Sequence, residues 1–202
     1  MKSSKIAPIL KIKDKNAIKI VAEYLVDEKI GVLPTDTIYG IVCSAFDIKN
    51  VEKLYFIRKR DKDKPMIILI SDIKDLELFG IKINDEMKNE IMKFWPGKVS
   101  IIFELDNKNL SNIKAFRYLH RDKNSLAFRL PKKLWLRNLL KIVGPIVAPS
   151  ANISNKLPAK NIKEAKKYFG DNVDFYLDAG DLISKPSKLI KIENGEIITL
   201  RK

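Results

Sequence analysis

The chain has 202 residues, of which 46% are hydrophobic and 32% charged, a composition typical of one globular domain. No apolar run approaches the ~18 residues that a membrane-spanning helix needs, and residues 1–13 lack the apolar core of a signal peptide. The single cysteine, Cys43, excludes an internal disulfide, so we expect a cytoplasmic protein with no membrane contact.

The charge is strongly basic, since 39 lysine and arginine residues against 25 aspartate and glutamate residues give a net charge of +14. Such a charge attracts polyanions and favours a nucleotide or nucleic-acid partner. The alternative is a bias in genome base composition, because lysine, isoleucine and asparagine are abundant throughout the chain. The one histidine, His120, argues against a histidine metal cluster, and no GxxxxGK[ST] or GxGxxG motif occurs.

Helices and strands are predicted to alternate along the chain. In chain order they are a helix over 14–29 capped by Asp14, a strand at 31–33, a helix over 47–58, a strand over 65–71, a helix over 84–95 capped by Asn84, strands over 98–105 and 125–130 joined by a polar loop, a helix over 131–142, a strand over 145–148, a helix over 161–169 and three short strands. This order predicts an α/β fold with a mixed sheet flanked by helices, in a single domain spanning 1–202.

The first polar segment at a predicted strand end is LPTDTIYGI (33–41). Thr35, Asp36 and Thr37 offer two hydroxyl groups and a carboxylate directly after a buried strand. The alternative is that one of these side chains caps a helix.

The second polar segment is IRKRDKDKP (57–65), which joins a predicted helix to a predicted strand. Arg58 and Arg60 are two residues apart, so their side chains point the same way only if the backbone there is not helical. Two neighbouring guanidinium groups are suited to bidentate binding of a triphosphate. The alternative is a solvated charge run at the C-terminus of a helix, where cations are favoured.

The third polar segment is IVAPSANIS (146–154), an apolar run that ends at a proline. Ser150 and Asn152 supply short hydrogen-bonding side chains, and the backbone around them can turn its N–H groups toward an anion. The alternative is a plain turn. Arg129, in SLAFRLP, ends an otherwise apolar strand, and a ligand carboxylate is a natural partner for such a buried charge.

The order and wording of these segments resemble one family. From about Ala17 to Arg201, the stretches PTDTIYG, R-x-R before a proline-led strand, WPG, FRLP, APSANIS and KPSKLI resemble the threonylcarbamoyl-AMP synthase family, the YrdC-like proteins. The resemblance implies a twisted mixed sheet with a basic concave face, in the short single-domain form. It also implies a nucleotidyltransferase that joins L-threonine, bicarbonate and ATP into threonylcarbamoyl-AMP and pyrophosphate, for later transfer to tRNA by a threonylcarbamoyl transferase. Binding of double-stranded RNA is implied as well.

The resemblance further assigns roles to individual residues of this chain. The residues implied to hold threonine are Thr35, Thr37, Arg129, Ala148 and Ser187, with Arg129 in a bidentate pair with the carboxylate. The residues implied to hold ATP are Arg60, Lys64, Ser125, Ser150, Asn152 and Arg201, and the implied catalytic set is Arg58, Arg60, Ser150 and Asn152. Mg²⁺ is expected on the triphosphate, with no ligand from protein side chains.

Several residues depart from the family pattern. Arg58 stands where the family has a lysine, Asp61 where it has a proline, Lys98 where it has the second proline of Pro-Gly-Pro, Asn155 where it has a glycine and Lys188 where it has a threonine. The departures leave an alternative function, a YrdC-like paralogue that binds double-stranded RNA or a nucleotide without robust synthase activity. RNA binding needs no amino-acid pocket, so this alternative is disfavoured by the retained Thr37, Arg129, Ser150 and Asn152.

Overall fold

A computed structural model describes residues 6–106, 108–193 and 196–202. The strands are β1 (Ile9–Lys11), β2 (Gly31–Pro34), β3 (Tyr39–Ser44), β4 (Ile68–Leu69), β5 (Val99–Glu104), β6 (Ser125–Arg129), β7 (Ile146–Val147), β8 (Phe175–Asp178), β9 (Lys188–Glu193) and β10 (Glu196–Arg201). The α-helices are α1 (Ala17–Val26), α2 (Ile48–Ile57), α3 (Asp85–Met92), α4 (Leu110–Ala115), α5 (Arg117–His120), α6 (Leu134–Val143) and α7 (Ile162–Phe169), and a 3-10 helix covers Ile73–Phe79.

All of these strands belong to one sheet, in the order β1-β8-β2-β3-β7-β4-β6-β5-β9-β10. The sheet is mixed: β8 lies parallel to β1 and β2, whereas β3 lies antiparallel to β2 and β7. The predicted mixed α/β sheet is therefore confirmed. The basic concave face and the single domain stay predictions.

Hydrophobic side chains pack on both faces of the sheet. Consecutive residues of one strand enter different core clusters, as Val32 and Leu33 do in β2, because side chains alternate between the two faces. Helices α1 and α6 cover the face that contains Leu33, and helices α2 and α7 cover the face that contains Val32. None of the helices in the described ranges is long and apolar enough to cross a membrane.

The segment between β5 and β6, predicted as a polar loop, contains the short helices α4 and α5 instead. Ile113, Phe116 and Leu119 recur every three residues and pack against the core, which is a helical spacing that the polar composition obscures. This helical connection places the residues that precede β6, and the functional site depends on it.

Two further expectations need correction. Asp14 does not cap α1, because its carbonyl accepts from the N–H of Ala17 in a turn that precedes the helix. The strand predicted over 65–71 is only two residues long, since it pairs with β6 and β7 at Ile68 and Leu69 alone. The predicted cap of α3 is confirmed, as Asn84 accepts from the N–H of Met87 at 2.8 Å.

Candidate active site

One open cavity of about 320 Å³ brings the three polar segments together. The turn between β2 and β3, the loop between α2 and β4, strand β6 and the loop after β7 contribute to its wall, together with β9 and β10. The predicted site residues that line it are Thr35, Thr37, Arg60, Ser125, Arg129, Ala148, Ser150, Ser187 and Arg201. These cavity residues include two groups that differ in exposure. The inner group (Thr35, Thr37 and Arg129) is buried, whereas the rim group (Arg60, Arg201 and the neighbouring Lys123) is more exposed.

The inner hydroxyls are fixed by hydrogen bonds within the β2–β3 turn. Thr35 Oγ1 donates to the carbonyl of Ile38 at 2.7 Å and lies 3.0 Å from Thr37 Oγ1. Because the one hydroxyl proton of Thr35 is used, Thr37 must donate its own proton to Thr35. The oxygen of Thr37 is therefore left as a hydrogen-bond acceptor on the wall of the cavity. The chain continues into β3, so the alternative of a helix cap is excluded here.

Arg129 is 4% exposed at the end of β6, and its partner is on the protein. Its Nη2 lies 3.2 Å from Oδ1 of Asp36, which is also buried, and Asp36 Oδ2 accepts from the N–H of Lys132. A ligand carboxylate is thus not required to balance the charge, contrary to the expectation from sequence. Nε of Arg129 has no hydrogen-bond partner in the described part of the chain, so this N–H remains for a ligand.

Ser150 is held between β3 and Arg58. The N–H of Ile41 donates to the carbonyl of Pro149 at 3.0 Å, and that of Ala151 donates to the carbonyl of Tyr39 at 2.9 Å. An Nη2 hydrogen of Arg58 points to Ser150 Oγ at 3.3 Å. Because Oγ accepts this hydrogen bond, the serine proton is free to be donated into the cavity.

Arg58, Lys64 and Asn152 do not line the cavity. Arg58 is 2% exposed and lies behind the loop of Ser150, where its Nε donates to the carbonyl of Asn152 at 3.2 Å. The amide of Asn152 donates to the carbonyl of Lys156 at 2.8 Å and so fixes the loop. The ammonium group of Lys64 lies 3.5 Å from Asp61 on the surface.

The backbone between Arg58 and Arg60 is left-handed at Lys59, with φ of 48°, so it is non-helical there. The two guanidinium groups nevertheless have different surroundings. Arg60 donates from Nε to the carbonyl of Lys64 at 2.9 Å and from Nη2 to that of Pro65 at 3.0 Å, on the cavity wall. Burial lowers the pKa of Arg58 to about 9, and the positive charge of Arg60 contributes.

Arg201 reaches the cavity from β10. Its Nε donates to the carbonyl of Ser187 at 3.0 Å and its Nη2 to Ser187 Oγ at 3.2 Å, while Ser187 Oγ lies 2.9 Å from Ser100 Oγ. The pairing of β10 with β9 shifts by one residue between Thr199 and Arg201, so Leu200 is an extra residue. This bulge places Arg201 opposite Leu189, whose side chain lines the cavity.

The cationic side chains of the site repel one another. Burial lowers the pKa of Arg201, and the charge of Arg60 lowers it further. The pKa of Arg129 is lowered by burial, an effect that Asp36 opposes and Arg201 reinforces. The cavity wall includes no carboxylate among the described residues. An anion in the cavity would relieve this repulsion.

Two polar side chains of the wall, Lys123 and Tyr39, were not among the site residues predicted from sequence. Lys123 stands two positions before Ser125, and Lys123, Ser125, Ala127 and Arg129 all line the cavity at alternate positions. Lys123 precedes β6 and is separated from it by the left-handed Asn124, so strand alternation alone would not have predicted its position. Tyr39 lines the wall and donates from its hydroxyl to the carbonyl of Gly180 at 2.8 Å, so it anchors the segment that leads to Ser187. Burial raises the pKa of Tyr39 to about 12.

The fold and this cavity define an α/β protein with a cationic ligand site. Residues 23–202 match the family model Sua5_yciO_yrdC, which is described as telomere recombination. The chain therefore belongs to the Sua5/YciO/YrdC family, as its motifs predicted.

Individual relatives agree with this assignment. The chain is 30% identical over 191 residues to the threonylcarbamoyl-AMP synthase of Wigglesworthia glossinidia brevipalpis. The aligned region covers 93% of each protein. A Methanocaldococcus jannaschii protein named as a putative threonylcarbamoyl-AMP synthase is 33% identical over 188 residues. The match spans 93% of this chain and 86% of that protein.

Solved structures have the same fold. Pyrococcus abyssi Sua5 complexed with L-threonine superimposes with a TM-score of 0.83 at 25% identity, covering 98% of this chain and 57% of that protein. Escherichia coli YciO superimposes with a TM-score of 0.81 at 19% identity, covering 98% of this chain and 96% of that protein, and at this identity the likeness concerns the fold alone.

Proposed function

We propose that this chain is a threonylcarbamoyl-AMP synthase that joins L-threonine, bicarbonate and ATP and releases pyrophosphate. The observation that carries the proposal is one cavity whose buried inner group suits an amino acid and whose cationic rim group suits a triphosphate. The Wigglesworthia enzyme and the L-threonine complex of Pyrococcus abyssi Sua5 support this function over an RNA-binding accessory role.

The inner group has the chemistry to hold threonine. The free acceptor lone pairs of Thr37 suit an N–H of the substrate amine, and the unpartnered Nε of Arg129 suits its carboxylate. Asp36 Oδ1 lies 3.2 Å from Nη2 but accepts no hydrogen bond in the described part of the chain, and Nη2 carries two hydrogens. We therefore propose that Nε and Nη2 of Arg129 together hold the carboxylate in the bidentate pair. Ala148 and Ser187 complete the wall near these groups.

The reaction then needs positioning and charge neutralisation, and no protein nucleophile. Threonine's amine attacks the carbon of bicarbonate, and a C–O bond breaks with loss of water to leave a carbamate. A carbamate oxygen then attacks the α-phosphorus of ATP, and the bond to the bridging oxygen breaks as pyrophosphate leaves with the electron pair. The Ser150 proton is positioned to be donated to a phosphate oxygen, and Arg60 and Arg201 balance the negative charge.

Mg²⁺ would enter as part of the substrate. The cavity wall in the described ranges offers no carboxylate, and no cluster of three or more acidic, histidine or cysteine side chains suited to a metal occurs there. These residues do not fit a protein-held ion, so Mg²⁺ would take its ligands from phosphate oxygens and water.

We further propose that the protein acts in the cytoplasm as a nucleotidyltransferase and passes threonylcarbamoyl-AMP to a threonylcarbamoyl transferase. Binding of tRNA or double-stranded RNA is also proposed.

The test is release of pyrophosphate from ATP and bicarbonate, measured with and without L-threonine and with L-serine as a matched control. We expect release that depends on threonine, together with a product that contains both threonine carbon and AMP. ATP hydrolysis independent of threonine, or no turnover by a folded protein that binds ATP, would contradict the proposed function.

A further inference from the structure

Lys123 stands at the exposed end of a column of side chains on the cavity wall. Ser125, Ala127 and Arg129 alternate along β6, which separates the Cα atoms of Ser125 and Arg129 by about 13 Å. Lys123 extends this column away from the buried Arg129 toward solvent. The column therefore runs from the inner group to the rim group.

The backbone around Lys123 is held in an unusual conformation. Arg121, Asp122 and Asn124 all have left-handed φ angles, of 51°, 61° and 49°, and none of them is a glycine. Left-handed backbone is unfavourable for residues that have a side chain, and strained residues of this kind cluster at ligand sites. The segment that places Lys123 on the cavity wall therefore has an unfavourable backbone conformation.

Contacts on both sides of Lys123 fix this segment. Arg121 Nη2 lies 2.7 Å from Glu52 Oε1, and its guanidinium lies 3.9 Å from the centre of the Tyr55 ring. Asp122 accepts from Arg117 Nε at 2.8 Å. Tyr55 in turn donates to the carbonyl of Lys64 at 3.1 Å, in the loop that carries Arg60. The loop of Lys123 and the loop of Arg60 are therefore joined to each other.

Lys123 itself has no carboxylate within ion-pair distance in the described part of the chain. Lys64, which the sequence predicted to hold ATP, lies outside the cavity wall beside Asp61. Of these two lysines, only Lys123 lines the cavity, and its charge is available to a ligand.

We propose that Lys123 binds the outer phosphates of ATP, the group that leaves as pyrophosphate; this inference rests on the proposed synthase function. In-line displacement requires the leaving group to lie on the side of the α-phosphorus opposite the attacking carbamate. The carbamate belongs to threonine, which the inner group holds, so pyrophosphate leaves toward the rim and Lys123. The ammonium group neutralises charge on pyrophosphate and forms no covalent bond.

The experiment measures binding of inorganic pyrophosphate, ATP, AMP and L-threonine by titration calorimetry. The variants are Lys123→Ala and Lys123→Arg, with Lys114→Ala as the matched control, because Lys114 is an exposed lysine of the same connection outside the cavity wall. We expect Lys123→Ala to raise Kd about fivefold for pyrophosphate and ATP, the effect of one partly exposed cation–phosphate contact. Kd for AMP and threonine stays unchanged, Lys123→Arg restores phosphate affinity, and Lys114→Ala resembles the wild type.

Two results would overturn the inference about Lys123 and leave the proposed function intact. One is an unchanged affinity of Lys123→Ala for pyrophosphate. The other is an equal loss of affinity for AMP and threonine, which would indicate general damage to the site. If the wild-type protein binds neither ATP nor threonine, the proposed function fails as well, so the two failures are distinguishable.

Discussion

The inner group and the rim group of the cavity differ in how their polar atoms are satisfied. The inner hydroxyls bond to each other and to the backbone, and the charge of Arg129 is balanced by Asp36. The rim group has no acidic neighbour on the cavity wall as far as the structure describes it, and the pKa of Arg201 is lowered by burial and then by the charge of Arg60. Folding alone organises the inner group, whereas the rim group needs an anion to balance its charge.

This difference separates two kinds of mutational effect. A change in the inner group leaves a buried partner unsatisfied, so it lowers the free energy of unfolding. A change in the rim group removes a cation from a repulsive set, so it alters ligand binding and leaves the fold stable.

The largest effect is expected from Arg129→Ala. The substitution leaves the carboxylate of Asp36 buried without its ion-pair partner, which costs about 3–5 kcal/mol of unfolding free energy. Urea unfolding monitored by circular dichroism measures it. The double variant Asp36→Asn/Arg129→Met should recover most of the stability without threonine binding, because no buried charge remains. A loss below about 1 kcal/mol in Arg129→Ala would show that the pair does not organise the inner group.

Ser150→Ala tests the residue that lies between the two groups. Loss of one hydrogen-bond donor to a phosphate oxygen should lower kcat by about 10²–10³ and leave KM for threonine unchanged. Pyrophosphate release measures both constants. Ser154→Ala is the matched control, since Ser154 lies in the same loop and off the cavity wall. Equal activity of the two variants would remove Ser150 from the mechanism.

Arg58 is expected to act through Ser150, because its guanidinium donates to Ser150 Oγ and does not line the cavity. Arg58→Gln should lower kcat about tenfold in the wild-type background and less than twofold in the Ser150→Ala background. Arg58→Lys should recover part of the activity. Additive effects of the two substitutions would instead indicate that Arg58 binds the triphosphate directly, as the sequence predicted.

Many residues of this site could be predicted from the sequence, because polar residues that directly follow buried strands lie together at an edge of the sheet. Thr37, Arg129 and Ser150 come from distant segments, and the structure brings them to one cavity. Residue types alone left an alternative open for each polar segment, and the motif order identified the family. The mixed sheet followed from the alternation of helices and strands.

The remaining features depend on contacts that local sequence does not encode. The orientation of the Arg58 side chain is set by its hydrogen bonds to Ser150 and Asn152, about ninety residues away in the chain. Lys123 owes its place to left-handed residues around it. Asp122 and Asn124 are turn-forming types, but a turn signal does not specify which side chain of the turn faces the cavity. Regular alternation would direct Leu200, not Arg201, to the cavity, and only the bulge in β10 reverses this.

The smallest effect is expected from Arg201→Ala at the rim. The arginine is exposed and its strand is exposed along its whole length, so the free energy of unfolding should change by less than about 0.5 kcal/mol. KM for ATP should rise about fivefold, as expected for one partly screened contact with phosphate. Leu200→Ala is the matched control, because it shortens the neighbouring side chain and keeps the cation. If Arg201→Ala destabilises the fold as much as Arg129→Ala does, the rim group is organised by folding too, and the contrast between the two groups is wrong.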